Sequence, residues 1–298
     1  MRALSVSVWV FLLVSIGLAM TQGAVGAPMA ITLQGVGLQT PESILYDRAG
    51  DVYLVANING NPTGVDGNGF ISRVAPSGRG LVLKWIDGTR PGVRLNAPKG
   101  MAIVGDRLYV SDITAVRIFN RRTGQFVGSI NVPGSTFLND LAAGPDGSVY
   151  VTDSGLKPDF SPSGTDAVYR IDRMGRLTTV AKSRELNGPN GVTVLPDGRP
   201  FIVTFSDIGE VYALAGGERR DVRRMPAGGL DGVELVPGGA MLISSWGGSA
   251  VFRVARDGQA TVVVPNVPSP ADIGYDSRRN RVLIPIFTKN SLVFQPLL

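Results

Sequence analysis

The 298-residue chain contains no cysteine and no histidine. Without cysteine there is no disulfide, no thiolate nucleophile, no lipidated cysteine anchor and no sulfur metal site. Without histidine there is no His-dependent triad, no imidazole-bound zinc, and the commonest general base is missing. Chemistry must run on carboxylates, amides, hydroxyls, Lys, Arg or a bound ion. Charge is sparse, and its balance is only mildly basic, 29 Lys plus Arg against 24 Asp plus Glu. The arginine pairs fall in predicted turns, and no aromatic residues interleave with them as single-strand binding would require, so a nucleic-acid partner is not expected. Long apolar runs are confined to one place: Arg2 is followed by an apolar stretch from Leu4 to Met20 and then by small residues ending at Ala27. That is the three-part layout of a secretory signal peptide. Residues 1–27 are expected to be removed, leaving 28–298 as one domain, periplasmic or secreted, monomeric and without stable membrane insertion.

What the chain does contain is a repeat. Six times a turn hands over to a short apolar strand, at Pro41-Glu42-Ser43, Pro98-Lys99-Gly100, Leu138-Asn139-Asp140, Pro189-Asn190-Gly191, Leu230-Asp231-Gly232 and Pro270-Ala271-Asp272. The spacings are 57, 40, 51, 41 and 40 residues, close to the roughly 40 to 45 residues of a four-stranded propeller blade, with two expansions. The second repeat reads as strands over 100–104, 107–111, 115–119 and 125–130, separated by Gly- and Asp-containing turns. Equivalent turns recur at Ala49-Gly50-Asp51, Pro145-Asp146-Gly147, Pro196-Asp197-Gly198 and Pro237-Gly238-Gly239, where a tight hairpin needs residues tolerant of positive φ. The last repeat has only three strands before the chain stops, and residues 30–35 read as the missing fourth. The expected fold is all-β, a six-bladed β-propeller closed by an N-terminal strand joining the last blade.

In such a ring the second residue of each opening faces one shared axis. Those residues are Glu42, Lys99, Asn139, Asn190, Asp231 and Ala271, and four of them offer a hard oxygen. The two expansions, residues 57–69 and 154–166, fall where second and third strands join, which returns them to the same face as this ring. Long loops on a rigid scaffold commonly carry function.

At these residues the chain resembles the gluconolactonase, or senescence marker protein, family of six-bladed propellers. The resemblance rests on Pro41-Glu42, on Asn139-Asp140 with the strand ending at Asp153, on Pro189-Asn190-Gly191 with Leu195-Pro196-Asp197-Gly198, and on Asp231-Gly232. It covers essentially residues 30–298. It implies that Glu42, Asn139, Asn190 and Asp231 hold a divalent cation, usually calcium, at the axis, with a small-molecule substrate above it. The chemistry of calcium agrees, since it takes six to eight oxygens from carboxylates, amides and water. The chain also departs from the family. Phe137 stands where sugar-lactone members carry an arginine, and Lys99 enters the ring beside the expected ion. Lys99 either points away, binds an anionic substrate group or weakens the ion.

The function expected from this resemblance is calcium-dependent hydrolysis of an ester or lactone, with Asp231 as base or nucleophile and Phe137, Lys99, Asp140 and Trp246 as substrate-binding residues. Asp140 is alternatively a turn carboxylate accepting backbone N–H bonds. Trp246, with Phe205 and Phe287 at the ends of second strands, forms either an apolar rim over the axis or packing between blades. The competing function is a non-catalytic, NHL-like propeller that binds a small ligand or protein.

Overall fold

The computed structural model describes residues 29–297, so the expected signal segment lies outside the described residues. Runs of β-branched and aromatic residues punctuated by Gly, Asp and Asn form six four-stranded antiparallel sheets. The inner strands of the first five blades are Pro41–Asp47, Pro98–Val104, Leu138–Ala143, Pro189–Val194 and Leu230–Leu235. In blade 6 the regular inner strand is shorter than the expected 271–275. It spans Gly274–Asp276, and the stretch before it keeps only isolated bridges, between Pro270 and Ile286 and between Asp272 and Ser43 of blade 1.

Apolar side chains do not form one central core. They collect in six large clusters, each shared by two neighbouring blades, for example Tyr109 and Val116 of blade 2 with Val151 and Tyr169 of blade 3, and in one small cluster of Ile58, Ala97 and Ile113. Each blade is thus stabilised by its neighbours, and closing the ring buries two faces at once. Closure occurs where the sequence predicts it. Ile31–Leu33 forms the outer strand of the last blade, pairing with Ser291–Pro296 at Ile31–Phe294 and Leu33–Leu292. A polar clasp reinforces the same seam. Arg281 Nε donates to the Tyr53 hydroxyl at 2.8 Å, which donates in turn to Asp276 at 2.5 Å, while Arg279 pairs with Asp51 at 2.7 Å. The hairpin arginines here serve as inter-blade ties, and Arg121 does the same across to Asp47 at 2.7 Å.

Removing the closing strand uncovers the edge of the Ser291–Pro296 strand and the buried Leu33 contact. A chain beginning at Val36 is expected to melt roughly 10 °C below one beginning at Pro28, as losing a buried leucine and its strand costs about 3–4 kcal/mol. An unchanged midpoint in differential scanning calorimetry would show that the seam does not hold the ring.

Candidate functional site

Five of the six ring residues are aimed inward by a repeated local device. In blades 1 to 5 the pairing of inner with second strand slips at the ring residue, between Pro41 and Ser43, Pro98 and Met101, Leu138 and Leu141, Pro189 and Val192, and Leu230 and Val233. A bulge re-aims a side chain that regular pleating would send elsewhere. The loops entering these bulges are pinned by polar residues at the ends of second strands. Asn57 accepts from the Gln39 N–H at 3.0 Å, Asp112 from Ala97 at 2.9 Å and Asp153 from Phe137 at 2.9 Å. Hydroxyls then hold the ring backbone to the preceding blade: Thr152 donates to the Asn190 carbonyl at 2.6 Å, Ser244 to that of Ala271 at 2.8 Å, and Ser111 to that of Asn139. Each such bond contributes about 1 kcal/mol net, so their main effect is to fix position.

Glu42, Asn139, Asn190 and Asp231 are thereby brought together at the floor of one chamber of about 350 Å³. All four are buried. Each keeps an oxygen free of the protein scaffold. Asn139 spends its N–H on the Ser154 hydroxyl at 3.1 Å, and Asn190 spends its own on the Leu230 carbonyl at 3.3 Å. Asp231 accepts from the indole N–H of Trp246 at 2.8 Å on one oxygen only. Glu42 Oε2 and Asn190 Oδ1 are buried with no hydrogen-bond partner among the described residues. Unpaired buried oxygens are costly, by about 1–3 kcal/mol each. Two of them facing one spot match the donor set of a hard cation, two carboxylates and two amide oxygens. Among the described residues no three acidic side chains cluster as a metal site, so the amides are required for that fit.

Electrostatics point the same way. Burial pushes Glu42 well above the usual carboxylate range, with Asp231 adding to the shift and Lys99 opposing it. Burial likewise raises Asp231 to about 7, against the stabilising bond from Trp246. Lys99 is fully buried, and its ammonium donates to the carbonyls of Pro62 at 3.0 Å and Ala97 at 3.1 Å, lying 4.4 Å from the centre of the Phe137 ring. It forms no ion pair with Glu42 among the described residues, and its hydrogen bonds go to the first long loop and to the backbone before its own strand. Burial pulls its pKa down to about 8.

The remaining predicted residues divide. Phe137, Lys99 and Trp246 line the chamber, as do Phe205 and Phe287. Trp246 sits between the last two at ring-centroid distances of 5.4 and 5.2 Å. Asp140 does not join them. It lines a different cavity, formed by the inner strands beyond the ring, and its oxygens accept from the backbone N–H groups of Leu141 at 2.6 Å and Val192 at 2.7 Å. It ties blade 3 to blade 4, and the substrate-binding expectation for it is corrected to a latch. Ile58, Pro62, Ser154, Leu156 and Phe160 also wall the chamber. The sequence marked their loops, but nothing in its repeat singled these residues out.

Residues 40–278 match the SMP-30/Gluconolactonase/LRE-like region. The chain belongs to that family. Among solved structures, a gluconolactonase from Xanthomonas campestris shares the fold with a TM-score of 0.70 at 22% identity, over 90% of each chain. A virginiamycin B lyase from Staphylococcus aureus gives 0.64 at 14% identity, over 91% of this chain and 99% of the other. A luciferin-regenerating enzyme gives 0.64 at 11% identity, over 90% and 98%. At these identities the likeness shows the propeller fold. A comparison with curated proteins finds no match.

Raised carboxylates have a sign that can be tested. Asp231 holds its proton more tightly folded than unfolded, so its contribution to stability is intact below about pH 4 and is lost as pH rises through about 7, and Glu42 is shifted in the same direction. A cation on the four oxygens would offset that loss. The thermal midpoint in excess calcium is therefore expected to exceed that in chelator by more at about pH 8 than at about pH 5. Equal midpoints with and without calcium at both pH values would contradict the fit.

Proposed function

We propose that this protein is an exported, divalent-cation-dependent hydrolase of a hydrophobic ester or lactone. Family membership supports a lactonase-type hydrolase acting on a small molecule, and the signal-like segment at residues 1–27 supports export. The observation that carries the finer reading is the division of labour in the chamber. Its unspent polar atoms belong to the four ring residues, and its walls are Ile58, Phe137, Leu156, Phe160, Phe205, Trp246 and Phe287. The other polar groups are already engaged: Ser154 donates to the Pro189 carbonyl at 2.8 Å, and Lys99 and Trp246 are bonded as described. A polyhydroxylated sugar lactone would find few partners for its hydroxyls, whereas an aryl or alkyl group would be enclosed.

Glu42, Asn139, Asn190 and Asp231 would hold the cation, calcium being the ion that best suits this donor set. When bound, such an ion supplies electrophilic polarisation of the acyl oxygen. The chain's own residues do the rest. Asp231, with one oxygen fixed by Trp246, takes the proton of an attacking water and returns it to the departing alkoxide, so the acyl carbon gains hydroxide and the ester oxygen gains hydrogen. In the metal-free protein burial raises the pKa of Asp231 to about 7, and a bound cation would lower it again, leaving the carboxylate ionised as a base requires. The aromatic walls exclude bulk water. The histidine-dependent chemistry implied by an inactive histidine-to-alanine variant of the virginiamycin B lyase is not open to a chain without histidine.

Purified protein should hydrolyse aryl esters and aliphatic lactones faster than gluconolactone when calcium is present. Asp231→Ala should lower kcat by about 10² or more. Full turnover by Asp231→Ala, or a preference for the sugar lactone, would overturn the proposal. Calcium-linked stabilisation without any turnover would instead leave a ligand-binding propeller with a structural ion.

A further inference from the structure

The second long loop, residues 154–166, separates two spaces. On one side lies the hub chamber. On the other lies a cavity of about 350 Å³ lined by Gly155, Pro162, Gly164, Asp166, Arg184, Asn187 and Ser206. The two share a wall: Ser154, Leu156 and Phe205 line both. Phe205 is more than one-third exposed and stacks edgewise on Trp246 at 5.4 Å. It stands between the two spaces and lines each of them.

Both linings are largely apolar, but they differ in the polar groups they carry. The hub is apolar apart from its oxygen floor and Lys99, whereas the side cavity carries charge and hydrogen-bonding groups. Most of those groups are already engaged. Asp166 accepts from the Gly188 N–H at 2.8 Å, Asn187 donates to Glu210 at 3.1 Å, and Ser206 pairs with the Thr204 hydroxyl at 2.8 Å. Arg184 is different: its guanidinium has no hydrogen bond and no ion pair among the described residues. Its guanidinium lies beside the long loop at Gly164, where a Cβ would sit 2.6 Å from Arg184 Nε.

From this arrangement we infer a second subsite for the substrate of the proposed hydrolase: the side cavity receives a carboxylate at the far end of an amphipathic ester or lactone, and Arg184 binds it. The inference rests on the apolar-substrate proposal and narrows it to molecules with a hydrophobic body and an anionic end. A guanidinium presents a planar fork suited to a carboxylate. Because Arg184 is exposed, the interaction is modest and weakens with salt. Its role is therefore selection among hydrophobic substrates, with the reaction itself left to the hub.

The test uses ω-phenylalkanoates of graded length against the matching ω-phenylalkanols, with binding followed by quenching of tryptophan fluorescence in the calcium-loaded protein. This readout does not depend on turnover. At one chain length the carboxylate should bind about fivefold more tightly than the alcohol at low salt, and the preference should vanish in Arg184→Ala and persist in part in Arg184→Lys. Alcohol affinity should be the same in all three proteins. If wild type shows no carboxylate preference, or Arg184→Ala retains it, while the alcohols still bind, the subsite is wrong and the apolar chamber stands. If neither series binds, the apolar-substrate proposal and the subsite fail together.

Discussion

Six inner strands converge on one axis, and the space left between their entrances constrains everything else in the structure. A Cβ at Gly100 would meet the backbone and carboxylate of Asp140, one at Gly191 would strike the Asp231 carbonyl, and one at Gly232 would meet Asp272. Neighbouring strands can approach this closely because three of the six entrances, at Gly100, Gly191 and Gly232, lack a side chain at the position after the ring residue. The other three carry Ser43, Asp140 and Asp272, and Asp140 and Asp272 lie directly against Gly100 and Gly232. Close approach brings Glu42, Asn139, Asn190 and Asp231 within reach of a single centre, and the bulges turn them toward it.

Function follows from what that crowding leaves unsatisfied. A ring of buried backbone is tolerable when its polar groups are paired, and most are, through the hydroxyls of Ser111, Thr152 and Ser244 and the carboxylates of Asp112 and Asp153. The exceptions in the hub lie on the side facing the chamber, at Glu42 Oε2 and Asn190 Oδ1. Buried atoms that fail to find partners in an otherwise well-paired hub are a stronger pointer to a ligand than residue type alone. The aromatic wall above them sets the second half of the problem, because a charged floor under an apolar roof favours a molecule with an apolar body around the polar group that meets the floor.

Much of this was legible in the chain. The repeat of Pro41-Glu42, Leu138-Asn139, Pro189-Asn190 and Leu230-Asp231 gave blade number, axis and ring together, because a four-stranded blade repeats its turn chemistry at each entrance. The closing strand at 31–33 could be found by counting strands in the last repeat. Asp140 misled, because a carboxylate next to a ring residue looks the same in sequence whether it faces the substrate or accepts N–H bonds from Leu141 and Val192. Ser154 and Phe160 were invisible individually, since loop residues carry no periodicity. The direction of Lys99 depended on carbonyls at Pro62 and Ala97, and carbonyls are present at every residue, so no sequence signal distinguishes them.

The hub's claim to hold a hard cation can be tested through the tryptophan that touches it. Trp246 donates to Asp231 at 2.8 Å, close enough for its excited state to sensitise a lanthanide on the same oxygens. Terbium added to the metal-free protein should emit on tryptophan excitation, calcium should extinguish the emission competitively, and Asn190→Ala should weaken it while the fold is kept. Emission that is absent, or that survives both excess calcium and the loss of Asn190, would show that the four oxygens do not form one cation site.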